Sequence, residues 1–262
     1  MTHIIGILNQ KGGVGKTSTA INLSACLAAL KYKTLLVDLD PQGNATSGIG
    51  FDKNEIYPTI YELLREEVKI EDTLKKHPMI PNLWLMPANI NLVGIHKELA
   101  NDAHRYVKLK KILRNLNNSN IEDNFDFIII DCPPSLNLLT VNALISVKDL
   151  IVPIQCEYYA MEGVSAILKT IKQIKSKANP ELKLLGLLLT MYDARTNLSK
   201  QVAEEMRKYF KDKVFKTVIP RSVRLGEAPS HGLPIIFYDL KSSGAIAYIK
   251  FTEEVLKRYG KK

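Results

Sequence analysis

The segment from Asn9 to Ser18 reads NQKGGVGKTS. It follows the apolar run HIIGIL at 3–8 and leads into an Ala- and Leu-rich stretch at 17–30. Strand, glycine-rich turn and helix in that order are the context a phosphate-binding loop needs. Gly15, Lys16 and Thr17 close the pattern G-x-x-x-x-G-K-[ST], but Gln10 stands where its first glycine belongs. A second lysine, Lys11, falls inside the loop, and the general pattern gives it no task. Backbone N–H groups of Gly12, Gly13, Val14, Gly15, Lys16 and Thr17 are expected to curl around phosphate oxygens, helped by the positive end of the helix. Lys16 would then bridge the β and γ phosphates, with the Thr17 hydroxyl a ligand of Mg2+.

Outward from the loop, six more apolar runs follow: TLLVDLD at 34–40, LWLMPA at 83–88, FDFIIID at 125–131, LIVPIQ at 150–155, LKLLGLLLT at 182–190 and KTVIP at 216–220. They are continuous rather than alternating, as in parallel strands covered on both faces. Helical spacing at 106–116, 162–174, 198–210 and 245–259 fills the gaps. Alternating strands and helices predict a three-layer α/β fold of the P-loop NTPase type, with a mostly parallel central sheet and helices on both faces. No Pro/Gly/Ser linker splits the chain, so one domain over 1–262 is expected. The charged segment 51–82 shows no strand and is expected to form small surface helices.

Two acidic positions complete a nucleotide site. LLVDLDPQGN places Asp38 and Asp40 two residues apart, on one face at the carboxyl end of a strand, where ligands of open α/β sheets bind. FIIIDCPPS puts Asp131 at the end of a fully apolar run, where a carboxylate needs a cation, and Mg2+ is the obvious one. No Asn-Lys-x-Asp tetrapeptide for reading guanine occurs, which favours ATP.

The chain carries 36 Lys+Arg against 27 Asp+Glu, a net +9. The excess is uneven: residues 169–262 hold 20 Lys+Arg and 9 Asp+Glu, a net +11, leaving −2 for the first 168. Such asymmetry points to a polyanion, nucleic acid or an anionic membrane. No apolar run approaches the ~18 residues of a membrane span. The start lacks a signal peptide's basic region and cleavage site, and three scattered cysteines form neither a disulfide framework nor a metal motif. An intracellular, reducing location is expected.

The stretches KGGVGKTS, VDLDPQGNATSGIG, IIIDCPPSL, PIQCEYYAMEG, MYDARTNL and VIPRSVRLGEAPSHGLPI resemble the ParA/Soj family of DNA-partition ATPases over nearly the whole length. The resemblance is to the short Soj-type members, without the N-terminal helix-turn-helix extension of larger plasmid homologues. It implies a deviant Walker A loop in which Lys11, the signature lysine, reaches the phosphates held by a second subunit, so that ATP is sandwiched in a homodimer. It implies further that Lys11, Gly12, Gly13, Val14, Gly15, Lys16, Thr17 and Ser18 form the ATP loop and that Asp40 positions the attacking water. Asp131 is then the Walker B carboxylate near Mg2+, and Pro220 and Ser222 lie against the adenine. Many relatives have Asn where this chain has Ser222, which offers one group fewer.

By the same resemblance Arg195 belongs to a surface for non-specific double-stranded DNA. Arg221, Arg224 and Lys250, all in the basic last third, are candidates for the same surface, with pairing to Glu227 within one subunit the alternative for Arg221 and Arg224. The implied protein is a weak Mg-ATPase in the cytoplasm, associated with the nucleoid. Its DNA-bound dimer is released when a ParB-type partner stimulates hydrolysis, and no stable membrane association is expected. The alternative is a MinD-like membrane-associated positioning ATPase. It draws on Phe251, Val255, Leu256 and Tyr259 at helical spacing in the basic tail, but a last helix packed on the core has the same pattern. An iron–sulfur role would need paired interface cysteines, whereas Cys132 lies beside Asp131 and reads as a packing residue.

Overall fold

The computed structural model describes residues 2–118 and 125–261. One eight-stranded sheet runs in the order β3-β4-β2-β5-β1-β6-β7-β8. Its strands are β1 His3–Ile7, β2 Thr34–Asp38, β3 Lys75–Lys76, β4 Leu83–Met86, β5 Phe127–Asp131, β6 Asp149–Gln155, β7 Lys183–Tyr192 and β8 Val214–Pro220. Every pairing is parallel except β3 with β4. The main helices are α1 Lys16–Ala29, α2 Lys108–Asn118, α3 Leu138–Ser146, α4 Ala160–Lys177, α5 Asn197–Phe210 and α6 Ser243–Arg258.

The continuous apolar runs have their cause in β5. Ile128 and Ile130 join the core under α2, α3, α4 and α5, while Phe127 and Ile129 join the core under α1 and α6. A strand whose alternate residues face two helical layers must be apolar at every position. This is the fold expected from the sequence.

Segment 51–82 differs from expectation. It contributes Ile60, Leu63, Leu64, Ile70 and Leu74 to the core and is not merely a surface decoration. Thr59 and Glu62 form a capping box that starts the short helix Ile60–Leu64. The segment also contains β3, the antiparallel edge strand, which is two lysines long and is created by pairing with Leu85 and Trp84. Short charged edges of this kind discourage further strand addition. A second difference is at β2, which ends at Asp38, so Asp40 lies in the following turn and not on the strand.

Candidate nucleotide site and basic surface

The loop between β1 and α1 is held by contacts to β6, β7 and α4. Asn9 anchors it, donating Nδ2 to Pro153 O at 2.7 Å and accepting the Lys11 N–H at 3.0 Å. Thr190 Oγ1 donates to Val14 O at 2.9 Å. Gln10, the departure from the general loop pattern, reaches α4 by donating Nε2 to Thr170 Oγ1 at 3.4 Å. Gly13 and Gly15 have φ of 72° and 86°, left-handed values that favour glycine. Gly15 caps α1 with no side-chain hydrogen bond, so the first-turn amides are left to a ligand. A Cβ added at Gly12 or Gly13 would meet nothing within 4 Å, so the loop is open on that side.

Lys16 is buried with 7% exposure, and its Nζ donates to Lys11 O at 2.9 Å. Burial lowers its pKa, and the charges of Asp131 and Asp40 oppose the shift, which places both acids around its ammonium. The three acids there have three distinct surroundings. Asp38 is fully buried and fully engaged: Oδ2 accepts from Thr46 N and Thr46 Oγ1, each at 2.8 Å, and Oδ1 from Asp40 N at 3.2 Å. Asp40 is half-buried, with Oδ1 accepting only the local Gln42 N–H at 2.9 Å. Asp131 is fully buried, in register with Asp38 across β2 and β5, and neither of its carboxylate oxygens has a hydrogen bond of good geometry. The Thr17 hydroxyl is nonetheless close enough to favour its charged form.

An unpartnered buried carboxylate beside a threonine hydroxyl and a lysine fits a divalent cation held together with phosphates. Burial first, then the charge of Asp38, raises the Asp131 pKa well above the usual carboxylate range, and burial lifts Asp38 to about 6. A group whose native pKa exceeds its unfolded value binds more protons when folded. Its stabilising effect is therefore present below about pH 4 and is lost as pH rises through the native pKa. For Asp38 that window runs from about pH 4 to about 6. Asp131→Asn should accordingly stabilise the nucleotide-free protein at pH 7 by about 1–3 kcal/mol, or roughly 2–10 °C in melting temperature. The same variant should lose the extra stabilisation that Mg2+ gives with nucleotide. Thermal melts at pH 5 and pH 7 check both, and an unchanged or lowered apo melting temperature would show that Asp131 is partnered.

Pro220 ends β8, and Ser222 precedes the short helix Val223–Glu227 with its hydroxyl making no cap bond. Cys132 is buried, its thiol pushed upward by burial, as a packing residue should be.

The basic candidates do not form one patch. Arg195 follows β7 and is 88% exposed, but its guanidinium is bidentate to Asp193, Nε to Oδ1 at 2.9 Å and Nη2 to Oδ2 at 2.7 Å. This pairing holds Asp193 down to about 2. Arg221 is a neighbour, since its N–H donates to Tyr192 O at 3.0 Å and its charge acts on Asp193. Arg224 is instead tied to Glu227 at 2.9 Å and Asp239 at 3.6 Å. Lys250 lies apart from them, in an open groove along the outer edge of β8 with Arg207, Lys211, Lys216 and Lys257. The Arg224–Glu227 pair is the one the sequence allowed for, and it forms with Arg224 and not Arg221; Asp193, two residues before Arg195, was a visible signal left unused, and Asp239 could not be read from spacing.

A family model described as an AAA domain matches residues 2–184. The chain is 51% identical to the sporulation initiation inhibitor protein Soj of Bacillus subtilis over 255 residues, 97% of this chain and 98% of that protein. It is 47% identical to the chromosome-partitioning ATPase Soj of Treponema pallidum, with all of both chains covered. Among solved structures it is similar to the cobyrinic acid a,c-diamide synthase of Mycobacterium smegmatis with bound ADP and magnesium, at a TM-score of 0.85 and 38% identity, covering 99% and 96% of the two chains. It is also similar to the septum site-determining protein MinD of Pyrococcus horikoshii complexed with Mg-ADP, at a TM-score of 0.77 and 28% identity, covering 99% and 98%.

Proposed function

Because the chain belongs to the Soj/ParA family of chromosome-partitioning ATPases, we propose that it is a Mg-ATP-driven switch for DNA partition, built as one ATPase domain over 1–262. The observation that carries this reading is Asp131, buried without a hydrogen-bond partner beside Thr17 and Lys16 at the mouth of the glycine loop. In this reading Lys16, Thr17, Ser18 and the amides from Gly12 to Thr17 bind the phosphates, with Thr17 and Asp131 on the Mg2+ side. The metal supplies charge neutralisation at the transferred phosphate. Asp40 orients the attacking water, and Pro220 and Ser222 border the adenine.

Dimerisation through this face has support in the apolar side chains around it. Ile90, Val93, Leu136, Tyr158, Tyr159 and Val223 are exposed, and each follows the carboxyl end of a parallel strand, β4, β5, β6 or β8. Apolar residues gathered at one end of a sheet mark an interaction face. Lys11 would cross it to the partner's nucleotide. A ParB-type partner that stimulates slow hydrolysis, and a cytoplasmic, nucleoid-associated location, complete the proposal.

The MinD-like alternative is disfavoured by α6. Phe251, Val255 and Leu256 are buried against the sheet, and Tyr259 Oη donates to Asp149 Oδ2 at 2.8 Å. These side chains, packed in the core, are not available to lipid. Co-sedimentation with DNA and with anionic liposomes, each with Mg-ATP, separates the two readings. Liposome binding without DNA binding would sink the partition reading.

For the DNA surface, Arg195→Glu should lower affinity by at least about tenfold per subunit, since lost contact and added repulsion combine beside Asp193. Asp193→Asn should act in the opposite direction, because it releases Arg195 from a bidentate partner. Fluorescence anisotropy against duplex DNA at several salt concentrations reads both, with a slope of roughly −0.9 per phosphate contact in log–log form. If Asp193→Asn weakens binding, the turn acts through its shape and not through the free arginine.

A further inference from the structure

Lys11 is not free in this structure: its ammonium forms an ion pair with Glu157. The two residues are 146 positions apart, and the sheet brings them together because β1 and β6 are neighbours. The segments that carry them are tied to one residue. Thr190 accepts the Cys156 N–H at its carbonyl at 3.1 Å and donates its hydroxyl to Val14 O at 2.9 Å, so one residue of β7 braces the loop before Glu157 and the loop after Lys11. Asn9 adds a second brace by linking Lys11 N–H to Pro153 O in β6. The Glu157 carboxylate is therefore set beside Lys11 by the frame of the sheet. Its side chain is 28% exposed and that of Lys11 51% exposed, so solvent and salt reach the pair.

We infer that Glu157 is a positioning residue that parks Lys11 within its own subunit, and that dimerisation exchanges this pair for the phosphates of the partner's nucleotide. The inference rests on the proposed role of Lys11 across the dimer. One ammonium cannot stay paired with the Glu157 carboxylate while it satisfies a triphosphate in the other subunit. In a symmetric dimer the exchange occurs twice, so the strength of the pair enters the dimerisation constant squared. Glu157 thereby sets a threshold: a nucleotide carrying more negative charge at the end of its phosphate chain outcompetes the carboxylate, and one carrying less leaves Lys11 at home. This ties the signature lysine to nucleotide state without any change in the loop. The exposed Tyr158 and Tyr159 follow Glu157 directly, so the carboxylate lies at the edge of the face proposed to meet the partner.

Glu157→Gln tests the inference, because it keeps size and removes charge. In the nucleotide-free protein, acylation of Lys11 by an N-hydroxysuccinimide ester, read by mass spectrometry and normalised to the exposed Lys31, should become about threefold faster or more. With Mg2+ and a non-hydrolysable ATP analogue, sedimentation velocity should show a dimer about tenfold tighter than wild type. Tenfold lies within what two exposed ion pairs contribute together. Lys11→Ala should lose the dimer, and adding Glu157→Gln to it should not restore it, because the gain from Glu157→Gln acts only through Lys11. Unchanged labelling of Lys11 overturns the inference. Faster labelling with an equal or weaker dimer also overturns it, since Glu157 would then serve the dimer itself. Should wild type form no nucleotide-dependent dimer, the inference falls together with the partition reading, and the labelling result tells that failure from one confined to Glu157.

Discussion

Lys16→Ala is expected to lower affinity for Mg-ATP by about 10²–10⁴-fold while leaving the sheet intact. Lys16 is the cation that the fold has already brought to the loop: 7% exposed and braced on Lys11 O at 2.9 Å. The charges of two acids, Asp131 and Asp40, act on it. Removing the ammonium leaves those carboxylates facing a triphosphate with no compensating charge on the loop. Two charge-assisted hydrogen bonds to phosphate are lost, each worth about 1.5–3 kcal/mol, and their sum sets the predicted range. Lys16→Gln should restore little of it, because a neutral amide cannot offset the acids. Isothermal titration with Mg-ATP measures the effect, and circular dichroism confirms that the variant is folded. Affinity within about twofold of wild type would take Lys16 out of the phosphate site.

How much of this was legible in the sequence depended on how local the cause was. β5 could be read at once, because a strand covered on both faces must be apolar at each position. β3 could not, because Lys75 and Lys76 have no intrinsic reason to be a strand and acquire one only from β4. The glycine loop was legible from its own residues, and so was the position of Asp131 at the end of a buried run. What separates Asp38 from Asp40 was not, since it turns on Thr46, eight residues beyond Asp38, folding back onto that carboxylate. The Lys11–Glu157 pair is further still from local reasoning. It exists because β6 inserts beside β1, and no spacing rule links residues on strands that the chain joins so late. The charge asymmetry of the last third was countable, but whether a given arginine is available to DNA was not. Arg195 and Arg224 each meet a carboxylate that the count had already included.

Asp40→Ala should bind Mg-ATP near wild-type affinity, hydrolyse it about 10²–10⁴-fold more slowly, and accumulate as a dimer on gel filtration. The size is that of a positioned proton acceptor. The assignment follows from what the other two acids are doing. Asp38 has its oxygens bound by Thr46 and by the Asp40 amide, so it holds the turn after β2 in shape. Asp131 is fully buried in β5 and has no hydrogen bond of good geometry, which suits a cation and not a water that must exchange with solvent. Asp40 alone is half-buried in a turn at the carboxyl end of the sheet, with a single local bond to Gln42 N. It can therefore meet solvent on one side and the phosphates on the other. The three substitutions to alanine should separate accordingly. Asp38→Ala should lower melting temperature, leaving the Thr46 N–H and the Thr46 hydroxyl hydrogen without an acceptor in the core at a cost of about 1–3 kcal/mol. Asp131→Ala should chiefly raise the Mg2+ concentration needed for turnover. Asp40→Ala should change neither of these and remove the chemical step. Steady-state rates, Mg2+ titrations and thermal melts on the three variants give the answer together. Wild-type turnover in Asp40→Ala would move the water-positioning role to another group. An Asp38→Ala protein that melts normally yet fails to hydrolyse would name that group as Asp38.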